Sequence, residues 1–112
     1  MKIDYWLEFS VKPQLTISDE TSLSGDALTF TCTSHGDSNS GTIVYKLYKD
    51  GVLVDKANVD IVNDGIYEMT GSTTADTGSY SCTATVGAGS ESPKSDGVQL
   101  DVVGKVLLKF LE

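Results

Sequence analysis

Few residues in this chain could do chemistry. The only histidine is His35, inside Ser34-His-Gly-Asp-Ser-Asn-Ser-Gly41. An acid–base or metal role needs a second positioned group, and no other histidine exists to supply one. The two cysteines, Cys32 and Cys82, lie fifty residues apart. A bridge between them would close a large loop, whereas two buried thiols would serve as small hydrophobes; their placement favours the bridge. Either way the sulfurs belong to the core, and no activated thiol remains. Asp37, Asp60, Asp64, Asp76 and Asp96 raise the question of calcium, but no segment has the dense alternating carboxylates of a calcium loop. Gly87-Ala-Gly89 runs into Ser-Glu-Ser-Pro93 rather than a helix, so it cannot cradle a phosphate. The expectation is a non-enzyme with no catalytic residue, no metal and no cofactor.

The elements that carry these residues are strands. Asp76-Thr-Gly-Ser-Tyr-Ser-Cys82 places Tyr80 and Cys82 two residues apart, on one face of a strand. A buried tyrosine needs a partner for its hydroxyl and finds it in backbone just upstream. Asp76 and Gly78 suit a tight turn feeding the strand. Leu28, Phe30 and Cys32 alternate inward on a second strand, and Leu15 and Ile17 on a third. Ser18-Asp-Glu-Thr-Ser22 reads as polar turn material. Asp50-Gly51 between Thr42–Lys49 and Val52–Val54 is a hairpin signal, and Asn63-Asp-Gly65 marks a second one, with Tyr67 and Met69 inward. Gly87 to Asp96 reads as a long loop. Val98, Leu100 and Val102 alternate on the last strand. Turns recur about every 8 to 12 residues, the spacing of an all-β sandwich.

The D-x-G-x-Y-x-C stretch ending at Cys82 resembles the tyrosine corner of immunoglobulin-like domains, formed by Asp76, Gly78 and Tyr80. Tyr45-Lys-Leu-Tyr-Lys-Asp-Gly51 resembles that family's third strand and turn, with Leu47 where the family places a buried tryptophan. The resemblance implies an immunoglobulin-like β-sandwich of two antiparallel sheets and a structural disulfide, Cys32–Cys82. It spans residues 14–103, leaving an N-terminal arm at 1–13 and a C-terminal arm at 104–112. Tyr5, Trp6, Phe9, Val106, Leu108 and Phe110 make both arms apolar. Such side chains need cover, either from each other or from a docked partner, for which an added strand is one route.

A chain of 112 residues is one domain, long enough to close a modest core. Net charge is -8, with eight lysines and no arginine. That balance repels phosphates and anionic lipid, so nucleic-acid binding and membrane insertion are both excluded as expectations. Met1-Lys-Ile-Asp-Tyr-Trp6 lacks the apolar run of a secretory signal, and no Asn-x-Ser/Thr sequon occurs. Two kinds of user fit the resemblance. One is a bacteriophage virion accessory protein, decorating a capsid or tail and mediating weak surface adhesion. The other is an extracellular cell-adhesion or receptor domain of a eukaryotic surface protein. The missing signal and the apolar arms favour the first; the cysteine pair favours the second. Both imply a protein partner (capsid or tail lattice, or cell-surface protein), with surface glycans as a further ligand, at a virion surface or outside a cell.

Overall fold

The computed structural model describes residues 12–34, 43–86 and 91–104. His35 and all six apolar arm residues named above lie outside them. Nine strands fill the described chain: β1 Gln14–Ile17, β2 Thr21–Leu23, β3 Leu28–Thr33, β4 Ile43–Lys49, β5 Val52–Leu53, β6 Val59–Asn63, β7 Ile66–Met69, β8 Gly78–Val86 and β9 Val98–Val103. They form two sheets, ordered β1-β3-β7-β6 and β2-β9-β8-β4-β5. This is an immunoglobulin-like sandwich.

Period-two alternation builds the core between the sheets. Leu15, Ile17, Leu28, Phe30, Cys32, Tyr67 and Met69 point inward from one sheet, and Leu47, Tyr80, Cys82, Leu100 and Val102 from the other. Cys32 and Cys82 are joined by a disulfide across the gap. The Phe30 and Tyr80 rings meet at 4.9 Å between centroids, tilted by 47°. Leu47 pairs with Cys82 across the β4–β8 ladder and is buried beside the bridge. Leu47 belongs to the same buried core cluster as Phe30 and Tyr80.

The two hairpins follow their turn residues. Asp50 and Gly51 both take positive φ, 50° and 84°, the mirror-image turn that matches the twist of β4 and β5. At the β6–β7 turn Gly65 has φ 75°, and a Cβ there would stand 2.5 Å from the Cys32 carbonyl oxygen. The close approach is used: the Cys32 N–H donates to the Gly65 carbonyl at 2.7 Å.

Two features differ from the sequence reading. Thr21–Leu23 is a strand, not turn material, and it runs parallel to β9 while the other ladders are antiparallel. The reason is the crossing at Ser18–Glu20, which carries the chain from one sheet to the other without reversing its direction. Glu91–Asp96 is also tied down rather than looped out. The Ala84 and Cys82 N–H groups donate to Ser92 Oγ and Ser95 Oγ, each at 3.0 Å, and the Ser92 and Ser95 N–H groups donate back to the Ala84 and Cys82 carbonyls at 2.8 Å. Serine hydroxyls thus replace ladder bonds on either side of Pro93, which has no N–H to give.

The registers also fix where the chain enters and leaves. Gln14 pairs with Thr33, at the end where β3 finishes, and Val103 pairs with Leu23, at the end where β3 begins. Lys12 and Gly104 therefore sit at opposite ends of the sandwich. Among the described residues no helix is long and apolar enough to cross a membrane.

Candidate binding surface

The residues of the D-x-G-x-Y-x-C stretch are brought together, but their work is structural. Tyr80 Oη donates to the Asp76 carbonyl at 2.6 Å inside the core. Burial, followed by the nearby Asp76 and Asp50 charges, pushes the Tyr80 hydroxyl far above the ordinary tyrosine range. Asp76 closes a 3-10 turn, Thr74–Asp76, and is itself buried, with 1% of its surface exposed. Its carboxylate accepts from the Thr73 N–H at 2.9 Å and from Lys56 Nζ. Burial raises its pKa, but the hydrogen bonds from Lys56 and Thr73 and the charges of Lys56 and Lys49 outweigh it, so the carboxyl ends below its usual range. Sequence reasoning assigned Asp76 to a turn and missed Lys56, which stands 20 positions away.

Gly78 is not a turn glycine. It opens β8 where a Cβ would meet Asp50 Oδ2 and Lys49 Cε, each at 2.9 Å. Its small size lets the Asp50 carboxylate reach the Ser79 N–H at 3.0 Å, tying the β4–β5 turn to β8.

Two surfaces remain that could meet a partner. The first lies on the outer face of the five-stranded sheet. Glu91 accepts hydrogen bonds from Tyr48 Oη and from Thr83 Oγ1, the latter at 2.6 Å, while Lys94 Nζ sits 4.6 Å from the centre of the Tyr48 ring. These hydrogen bonds, with Lys46 and Lys94 nearby, hold the Glu91 carboxyl below its usual range. The same contact, with burial, raises the Tyr48 hydroxyl. The cluster presents a charged, aromatic and hydrogen-bonding face of the kind used in recognition. No motif announces it; the only signal is that Lys46 and Tyr48 take the outward positions of β4.

The second is the lateral edge where β5 and β6 face each other across the sandwich. An open cleft of about 400 Å³ is lined by Val52, Leu53, Val54 and Lys56 and reaches Met69 and Tyr80. A neighbouring cleft of about 220 Å³ shares Val54, Asp55 and Lys56 and adds Ile61 and Tyr67. The two loops Ser34–Gly41 and Gly87–Asp96 are described only in part: Ser34 and Glu91–Asp96 are placed, while residues 35–42 and 87–90 lie outside the described chain. Among the described residues no three His, Cys, Asp or Glu side chains gather into a metal-holding group.

Two sheets of this strand order, clasped through the core beside a tyrosine corner, define a domain of the immunoglobulin class. The chain belongs to the immunoglobulin domain family: that family's model matches residues 12–85. Solved structures agree on the fold. Murine CEACAM1b superposes with a TM-score of 0.71 at 18% identity, over 84% of this chain and 45% of that one. A chain from the complex of the mouse coronavirus receptor-binding domain with its murine receptor gives 0.70 at 17%, over 84% and 45%. The extracellular domains 3–5 of Drosophila OTK give 0.62 at 19%, over 83% and 36%. This chain thus spans less than half the length of each. No curated protein matches its sequence. Immunoglobulin domains are in general non-catalytic binding modules.

Proposed function

We propose that this domain is a binding module of an extracellular adhesion or receptor protein, recognising a protein partner on a cell surface. The observation that carries the reading is the fold itself, a family domain whose likeness extends to murine CEACAM1b, to a chain of a virus–receptor complex and to extracellular domains of Drosophila OTK. The topology supports it. A chain that enters at Lys12 and leaves at Gly104, at the opposite end, suits one unit in a row of domains, with residues 1–13 and 104–112 as the joints. The Tyr48–Glu91–Lys94 cluster, on the outer face of the sheet, offers a charged and aromatic surface to a partner. The comparisons support the extracellular reading over the virion-accessory one.

The test is to display the chain as a tetramer and measure its binding to a panel of animal cells. Saturable binding that is lost when the cells are treated with protease is the expected outcome. Binding that survives protease but not glycosidase would make the ligand a glycan. Failure to bind any cell, together with co-sedimentation with purified phage capsids or tails, would restore the virion reading.

A further inference from the structure

Five large hydrophobic side chains stand out in water among the described residues: Val44, Val52, Leu53, Ile61 and Val62. All five come from β4, β5 and β6. They are far from marginal, with Ile61 70% exposed and Val52 69%. Val54 joins them at the floor, since it lines both clefts between β5 and β6. The opposite edge, β1 and β2, shows none.

The charges divide in the same way. Residues 43–63 carry three lysines, Lys46, Lys49 and Lys56, against three aspartates, Asp50, Asp55 and Asp60. The rest of the described chain carries only Lys12 and Lys94 against nine acids. One side of a strongly acidic molecule is therefore both neutral and apolar. An exposed strip of this kind marks an interaction surface.

We propose that this β4–β6 edge is a self-association surface, which meets the same edge of a second copy across a two-fold axis. Symmetry is what selects the occupant. A two-fold contact sets a patch against itself, so only a patch with balanced charge avoids like-charge repulsion. Over the rest of the described chain acids outnumber lysines nine to two. Here Lys56 is already held by Asp76 and Lys49 by the Ala75 carbonyl, so the contact is made by the aliphatic side chains covering one another, with no ion pair needed across the axis. The β6 edge carries a bulge between Ile61 and Asn63, which interrupts its outer row of backbone groups. The contact is therefore side chain against side chain rather than a continuous sheet. It is a weak association, effective when many copies are held on one surface. The inference rests on the binding-module reading but fails separately from it: a strictly monomeric chain that still binds cells would remove only the self-association.

The test is sedimentation of the full chain across the micromolar to millimolar range, with amide shifts followed on dilution. We expect a concentration-dependent dimer, with shifts confined to residues 43–63. The double substitution Leu53→Lys, Ile61→Lys should weaken it by at least about tenfold in dissociation constant. Raising salt should tighten it, because the molecules repel overall while the contact itself is neutral. Monomer at every concentration would overturn the proposal. So would association that survives the double substitution, that weakens with salt, or that shifts residues 14–26 instead. Both substituted side chains are at least half exposed, so the fold should hold; if it does not, the dilution shifts of the unsubstituted chain decide alone.

Discussion

Asp76 is used through both its main chain and its side chain. Its main-chain carbonyl receives the Tyr80 hydroxyl, while its carboxylate receives Lys56 and the Thr73 N–H. Because its folded pKa lies below the unfolded value of about 3.9, it stabilises the fold fully above that value and loses the contribution as pH falls through the folded one. Lys56→Met removes the partner and leaves a buried carboxylate. It should destabilise by about 2–3 kcal/mol at pH 7, discounted from a fully buried pair because Lys56 is partly exposed. The loss should shrink as pH falls below about 3.9 and Asp76 protonates through its lowered folded pKa; urea unfolding at pH 7 and at successively lower pH checks this. Tyr80→Phe strands the Asp76 carbonyl and should cost about 1–3 kcal/mol, measurable by the same unfolding. The spacing of Asp76, Gly78, Tyr80 and Cys82 was legible in the sequence. The Lys56 partnership was not, because it joins two connections that meet only once both sheets have stacked.

The strands were legible wherever hydrophobic alternation marked them: Leu28-x-Phe-x-Cys32, Tyr67-x-Met69 and Leu100-x-Val102 all turn the expected faces inward. β2 was not, since Thr21-Ser-Leu23 has no apolar alternation and its inward position is filled by Ser22, 4% exposed. The exposed pairs Val52-Leu53 and Ile61-Val62 were read as strand residues, but two adjacent aliphatics do not say which face meets water. That depends on β5 and β6 being the outermost strands of their sheets. β4 carries the family's departure. Leu47 is 2% exposed and packed in the buried core cluster that also holds Phe30 and Tyr80. Restoring the aromatic with Leu47→Trp should therefore overpack the site, lowering stability by about 1–3 kcal/mol in thermal or chemical melts rather than raising it.

At the scale of the molecule, two properties are set by topology rather than by any one residue. The sheets place every exposed large aliphatic of the described residues on one flank, and the chain enters and leaves at opposite poles. If neighbouring units pull on Lys12 and Gly104, tension runs lengthwise, and the parallel β2–β9 bonds are loaded side by side in shear rather than unzipped one at a time. Behind them, the disulfide is a mechanical stop. The 50-residue span it closes cannot pay out while the bridge is intact. Single-molecule stretching should show a rupture whose released length grows by roughly 160–180 Å when reductant is added, the reach of about 50 extended residues. A domain so built can be stretched hard and still recoil, because the half of it that holds the core never leaves its knot.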